Sequence, residues 1–326
     1  MKTVKAKLFI FIIVTQLLII FFLGFNYLSK KNQKILGEVT ISPIEKEKLT
    51  FPTDSELKHF YEPECNIVVE DKPEWLPYVA KYKYNSDCLN ERFDYDVEKP
   101  KGVFRIMTLG DSFTFGHFVN TEDNYPEQLE ELLNNQLSCQ NIEKFEVINL
   151  GVMGYDIEYS VHRFKTRGAK YQPDLILWFL KGDDFWQIEE ITSERVQQIE
   201  EEISRAGLTE EYIQESGYHF AYNMAEEELL EKYGEDWILD YQKKLLSDFF
   251  QEYHGKTVLF THSDEGHKIK NLINNFINQQ EKTFFFVVEY NLFDKLPDGH
   301  YSVKGYTTLA NKLLNYLINE KIIFCD

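Results

Sequence analysis

The chain has 326 residues, 43% of them hydrophobic, with 35 basic and 54 acidic side chains and a formal net charge of −19. That length holds one large domain with additions, and the hydrophobic fraction is that of a globular core. The acidic excess opposes binding to nucleic acid and to anionic lipid headgroups, so neither is expected as a partner.

In chain order, the first feature is Leu8–Leu28, an apolar segment broken only by Thr15, Gln16, Gly24 and Asn26. As a helix it spans roughly 31 Å at about 1.5 Å per residue, matching a bilayer core of about 30 Å. A cleaved signal peptide has a shorter apolar core and a small-residue cleavage site, so an uncleaved single-pass anchor over residues 1–31 is expected. Three lysines lie on each side of the span (Lys2, Lys5 and Lys7; Lys30, Lys31 and Lys34), and the α-amino group tips the balance toward an inside N-terminus. The large domain then lies outside the cytoplasm, in the periplasm or at the cell surface. Without residues 1–31, which hold five lysines and no acid, 30 basic and 54 acidic groups remain, or about −24.

Residues 32–100 divide into a polar stalk containing Pro43 and Pro52 and an extension (53–100) with Pro63, Pro73, Pro77 and many aromatics. The extension reads as irregular chain packed on the domain that follows, 101–326. There the alternation predicts a strand over 104–109, a helix near Pro126–Gln136, a strand over 145–150 and a helix near Asp156–Arg167. Further strands are predicted over 174–180, Thr257–Thr261 and Thr283–Glu289, with helices near Lys268–Gln280 and Ser302–Ile318. Uniformly apolar strands separated by helices predict an α/β fold, a parallel five-stranded sheet covered on both faces. Residues 186–254 form an acidic insertion between the third and fourth strands, with 18 acidic and 5 basic side chains and long helical patterns such as Glu226–Tyr253. Its Glu-rich runs read as solvated helix faces and its aromatics as core, and its root beside the third strand suits a lid or substrate wall.

Four stretches carry chemistry. Arg105–Gly116, R-I-M-T-L-G-D-S-F-T-F-G, is an apolar run that meets Gly110 and then Ser112, which the fold puts at the carboxyl edge of the sheet. Alone, Ser112 also reads as a helix N-cap. Phe145–Asp156, F-E-V-I-N-L-G-V-M-G-Y-D, ends in glycines. Pro173–Phe185, P-D-L-I-L-W-F-L-K-G-D-D-F, ends in paired carboxylates, and Leu296–Ala310, L-P-D-G-H-Y-S-V-K-G-Y-T-T-L-A, sets His300 before the terminal helix. Together, in this order and spacing over roughly 103–320, they resemble the four blocks of the SGNH (GDSL-type) hydrolases.

The resemblance implies a flavodoxin-like three-layer sandwich and ester cleavage by a serine nucleophile, Ser112, with His300 as its base and Asp298 orienting the ring. The commonest family spacing is D-x-x-H, whereas Asp298 stands two residues before His300, so Asp294 is a second candidate carboxylate. For the oxyanion the family uses the backbone N–H groups of its serine and glycine and an asparagine side chain. By resemblance these positions are Ser112, Gly154 and Asp183. An ionised aspartate only accepts hydrogen bonds, so Asp183 donates only if protonated beside Asp184, and Lys181 or His117 are alternative donors. The implied substrate is an acylated small molecule, glycan or lipid. Acyl transfer to a sugar hydroxyl through the same site is a second reading, and a non-catalytic binding module that keeps the fold is a third.

His262 and His267 follow the fourth strand beside Asp264 in no strong metal-binding pattern, and neither a metal nor another cofactor is expected. Cys65, Cys88, Cys139 and Cys325 lack C-x-x-C spacing. In an oxidising compartment they can form two disulfides by any of three pairings, Cys65 with Cys88 and Cys139 with Cys325 among them; a Cys65–Cys88 bond is expected, and free buried thiols are the alternative.

Overall fold

The computed structural model describes residues 57–205, 218–278, 280–290 and 294–325. The expected membrane span and stalk lie outside the described residues. Among those that are described, no helix is long and apolar enough to cross a membrane.

The extension opens with an antiparallel pair, β1 (Val68–Asp71) and β2 (Ala80–Lys83), in register Val68↔Lys83 to Asp71↔Ala80. The sequence reading left this segment irregular. The strands are only four residues each, too short for periodicity to stand out. Then follow β3 (Val103–Leu109), α1 (Ser112–Phe115), α2 (Tyr125–Gln136), β4 (Lys144–Asn149), α3 (Ile157–Arg163) and β5 (Leu175–Phe179). Next come α4 (Asp183–Trp186), α5 (Glu189–Arg205), α6 (Tyr218–Tyr233), α7 (Glu235–Glu252) and β6 (Lys256–His262). The chain ends with α8 (His267–Ile277), β7 (Thr283–Val288) and α9 (Val303–Asn319).

The sheet order is β4-β3-β5-β6-β7, with every pair parallel. Counting within the sheet this is 2-1-3-4-5, the flavodoxin-like order, whose ligands gather at the carboxyl edge. Successive strand residues alternate between two cores, as a pleated strand requires. Ile106, Val147, Leu175, Leu177, Val258 and Phe260 pack with Leu129 and Leu133 of α2 and Leu309, Leu313 and Leu317 of α9. Met107, Ile148, Ile176, Trp178 and Leu259 pack with Val161 of α3, Leu246 and Phe249 of α7 and Ile273 of α8. The central strands are therefore buried on both faces, and β5 is apolar throughout for that reason, whereas β3 and β4 also carry the buried polar residues Arg105, Thr108, Glu146 and Asn149.

Local signals set the helix ends. Asn124 caps α2, its side chain accepting from the Glu127 N–H at 2.9 Å, with Pro126 in the first turn. Ser302 caps α9 through the Gly305 N–H at 3.2 Å. The helical pattern at Glu226–Tyr253 is two helices rather than one. Gly234, at φ +78°, breaks the run between α6 and α7, a conformation that costs glycine little.

Contacts divide the chain into two compact units, whose described parts are residues 57–193 with 229–278, 280–290 and 294–325, and residues 194–205 with 218–228. Within the smaller unit, Val196, Ile199 and Ile203 pack on Ala221 and Ala225, and Arg195 pairs with Glu228 at 2.7 Å.

Two disulfides join Cys65 to Cys88 and Cys139 to Cys325. The extension docks on the sheet domain through buried polar groups. Asn90 Nδ2 donates to the Phe115 carbonyl at 2.9 Å, and the Asn149 N–H donates to the Glu91 carboxyl. The Tyr95 hydroxyl bonds to both Glu91 and Glu130, at 3.2 and 3.0 Å. Burial, with Glu127 close by, pushes the Glu91 carboxyl well above the usual carboxylate range, so it holds a proton that the unfolded chain releases near pH 4.5. A carboxyl raised on folding supports stability below its unfolded pKa and loses that support as pH rises toward its folded pKa. Glu91→Gln is therefore expected to flatten the fall in stability from pH 5 upward, by as much as ~1.4 kcal/mol per pH unit. Denaturant titrations of both proteins at a series of pH values check this, and parallel pH profiles would contradict it.

Candidate active site

The site is built at the carboxyl edge, where β3 gives way to α1. Gly110 lies at φ +140°, and a Cβ there would come within 2.5 Å of Thr114 Oγ1 and 2.8 Å of the Phe179 carbonyl, so glycine alone fits this turn. Asp111 caps α1 by accepting from the Phe113 N–H at 2.9 Å. Since Asp111 takes the capping role, the Ser112 hydroxyl is available to the histidine. His300 Nε2 lies 2.8 Å from Ser112 Oγ, although the two residues are 188 apart in the chain.

The other ring nitrogen of His300, Nδ1, lies 2.5 Å from Asp298 Oδ2, and the His300 N–H donates to Asp298 Oδ1 at 3.2 Å. A two-residue separation reaches because the loop is a tight turn. Gly299 adopts φ +100°, its N–H donates to the Leu296 carbonyl, and the Leu296 N–H returns to the His300 carbonyl at 2.7 Å. Asp294, the other carboxylate considered, stands elsewhere: it is buried at the start of α9, its carbonyl accepts from the Ser302 N–H, and its carboxylate lies 3.7 Å from Lys304 Nζ. The His300 ring stacks on Phe113 with centroids 4.8 Å apart, and Phe113 packs in turn on Phe179, His262 and Tyr301. The histidine thus rests on a rigid apolar base.

The second loop is clamped to α1. Asn149 Oδ1 accepts from the Gly151 N–H at 2.9 Å, and the Val152 N–H donates to the Gly110 carbonyl at 3.2 Å. A Cβ on Gly151 would come within 2.5 Å of the Phe115 nitrogen, which explains the glycine. Gly154 follows at φ +73°, in a left-handed conformation. The Tyr61 hydroxyl, from the extension, donates to the neighbouring Met153 carbonyl.

The third loop carries Lys181, Asp183 and Asp184. The Asp183 side chain is 64% exposed and its carboxylate accepts from Lys181 Nζ at 3.1 Å, an arrangement that offers an acceptor and no donor. The carboxyl pushed well up is that of Asp184, through burial and the nearby Asp111, and it accepts from the Lys181 N–H at 2.8 Å. Lys181 Nζ lies 3.6 Å from Asp111 and 4.6 Å from the centre of the Phe113 ring. Burial opposes its charge, but Asp111, Asp183 and Asp184 outweigh that and raise its pKa.

His117 lies beside His300, ring centroids 4.9 Å apart, with Nε2 3.2 Å from Asp71 Oδ2 of β1. Burial, then the nearby His300, lower its pKa to about 4, so it is neutral at pH 7. The Asp71 partner was invisible in the sequence, since nothing local ties a strand of the extension to a loop 46 residues later. His262 is a core residue: Tyr301 bonds its Nε2 at 2.8 Å, Tyr290 stacks on it, and burial followed by Lys181 and Lys295 lowers its pKa to about 3. His267 is exposed, and among the described residues no group of histidine, cysteine or acidic side chains is arranged to hold a metal.

No protein-family model matches the chain, and no curated protein matches it significantly. Among solved structures it is similar to a lipolytic protein of the G-D-S-L family from Desulfitobacterium hafniense, at 15% identity and a TM-score of 0.34, over 65% of this chain and 98% of that one. A family 3 carbohydrate esterase from Clostridium thermocellum matches at 15% identity and a TM-score of 0.39, over 67% and 96% of the two chains. A catalytic mutant of an acetylxylan esterase from Geobacillus stearothermophilus matches at 15% identity and a TM-score of 0.40, over 65% and 93%.

Lys181 is the cation amid three carboxylates, so Lys181→Met should leave buried acid unpaired and lower unfolding stability by about 2–4 kcal/mol. Guanidinium titration at pH 7 measures this, and an unchanged midpoint would show that the cation does not offset the carboxylates.

Proposed function

We propose that this chain is a serine ester hydrolase of the SGNH (GDSL) type, with Ser112 as nucleophile, His300 as base and Asp298 as the carboxylate that orients it. The observation that carries this reading is Ser112 Oγ at 2.8 Å from His300 Nε2, with Asp298 on the opposite ring nitrogen. His300 Nε2 takes the serine proton as Oγ attacks the ester carbonyl carbon, and Asp298 stabilises the imidazolium. The carbonyl oxygen becomes an oxyanion facing the backbone N–H groups of Ser112 and Gly154. When the tetrahedral intermediate collapses, the bond to the alcohol oxygen breaks and that oxygen takes the proton from His300. Water, activated by the same imidazole, then releases the acyl group from the serine. A sugar hydroxyl in place of water turns the same cycle into acyl transfer.

The family's third oxyanion donor is an asparagine, and this chain has Asp183 there. The site therefore works with two backbone donors and a carboxylate that accepts from Lys181. The domain works outside the cytoplasm, tethered by the apolar segment 8–28, and acts on an acylated cell-surface glycan or lipid. The disulfides Cys65–Cys88 and Cys139–Cys325 support an oxidising compartment.

Purified full-length protein in detergent micelles is expected to hydrolyse p-nitrophenyl acetate. Ser112→Ala and His300→Ala should each lower kcat by about 10³-fold or more. Equal rates for wild type and Ser112→Ala would refute the esterase reading. Asp183→Asn restores an amide donor and should raise kcat about tenfold or more, since one oxyanion donor is worth roughly 10²–10³ in rate. A slower variant would remove Asp183 from the oxyanion site.

A further inference from the structure

The extension adds aromatic side chains around Phe118, a neighbour of His300, and the esterase reading leaves them without a role. Trp75 is 37% exposed and Tyr78 is 36% exposed, both large rings left facing solvent. Trp75 meets Phe118 edge-to-face with centroids 4.8 Å apart, and Phe118 stands 5.5 Å from the His300 ring. Phe118 also stacks on His117 at 3.5 Å. Trp75, Phe118 and His117 form one continuous rim leading from solvent to His300, with the Tyr78 hydroxyl bonded to the Phe118 carbonyl beside it.

The backbone of this rim is held in an uncommon conformation. Phe118 adopts φ +65°, a left-handed conformation that bulky residues rarely take. Two tyrosines of the extension fix it there: the Phe118 N–H donates to the Tyr82 hydroxyl at 2.9 Å, and the Tyr78 hydroxyl donates to the Phe118 carbonyl at 2.9 Å. Tyr82 in turn donates to Asp71 at 3.3 Å, the carboxylate that also holds His117. Strain held by surrounding contacts next to a candidate site points to function, because a left-handed phenylalanine would otherwise relax.

We propose that Trp75, Phe118 and Tyr78 form a stacking platform for a pyranose ring, the alcohol part of the ester substrate. This rests on the reading of Ser112 and His300 as an ester-cleaving pair. His300 must deliver its proton to the leaving oxygen, so the alcohol part of the substrate lies on the His300 side, where this rim stands. A sugar has an apolar C–H face that matches exposed rings, and hydroxyls that match polar groups at the edge. Here those groups are the Tyr78 hydroxyl and the His117–Asp71 pair. A long alkyl chain in the same place would strip water from that pair without supplying hydrogen bonds, an unfavourable exchange. The substrate class this selects is an O-acylated oligosaccharide, recognised by the extension together with His117 and Phe118 of the domain.

Binding can be read without turnover. Full-length protein carrying Ser112→Ala, in detergent micelles, is titrated calorimetrically with cellohexaose, xylohexaose and chitohexaose. At least one is expected to bind. In the same background Trp75→Ala should weaken that binding tenfold or more, and Trp75→Phe should keep it within about threefold. Phe118→Gly, which suits the left-handed backbone and removes the ring, should weaken it as Trp75→Ala does, and thermal unfolding of each variant confirms folded protein. Binding by none of the three probes, or equal binding by parent and Trp75→Ala, would overturn the platform. Hydrolysis of p-nitrophenyl acetate by the protein with Ser112 intact separately reports the catalytic reading. An active enzyme that ignores all three sugars therefore rejects the platform alone, and sugar binding by an inactive protein rejects the esterase alone.

Discussion

The Ser112–His300 hydrogen bond has to be made between two loops that are remote in the chain, and the parallel sheet is what makes that meeting possible. Parallel strands all end at one edge, so the loops after β3, β4, β5, β6 and β7, the last carrying His300, open onto the same side. The register brings Leu109 opposite Trp178 and Phe179 opposite Phe260, which fixes where each loop begins. From there the contacts are made by packing. Phe113, the residue after the serine, lies beneath the His300 ring and against Phe179 and Tyr301, so the serine and the histidine share one apolar support. A ring held by close-packed neighbours has little further freedom to lose, which is the general advantage of pre-positioned groups.

Charge is arranged around this support with an economy that the overall acidity hides. The chain carries far more acid than base, yet several of its buried acids are either paired or pushed toward the protonated form. Lys181 sits amid Asp111, Asp183 and Asp184. Arg105, fully buried in β3, bonds to Glu146 at 2.7 Å and to the Tyr171 and Asp96 carbonyls. Glu91 instead stays neutral, linked through the Tyr95 hydroxyl to Glu130. Each arrangement avoids an unpaired buried charge, which is the costly case.

The extension belongs to the same cooperative structure. Asn90 and Glu91 satisfy backbone groups of Phe115 and Asn149, in the two segments that carry Ser112 and Gly154. Tyr61 reaches the Met153 carbonyl, Asp71 holds His117, and Tyr78 and Tyr82 hold Phe118. A segment that reads as irregular chain thus surrounds the site. Its hydrogen bonds run to residues tens of positions away, and composition carries no trace of such pairings.

The strands of the sheet were legible because strands buried on both faces are largely apolar, a pattern that survives in one dimension. Ser112 and His300 stood out through the resemblance of four separated blocks to a known family, with Gly110 marking the turn before the serine. Tertiary structure decided the rest. It chose Asp298 over Asp294, because a left-handed Gly299 shortens the turn and a helix start claims Asp294. It split Glu226–Tyr253 at Gly234, paired the four cysteines, and set His262 in the core and His117 beside the site. Each of these depends on which surfaces meet once the layers pack. Local propensity and periodicity describe a residue's own element, whereas partners belong to the space between elements.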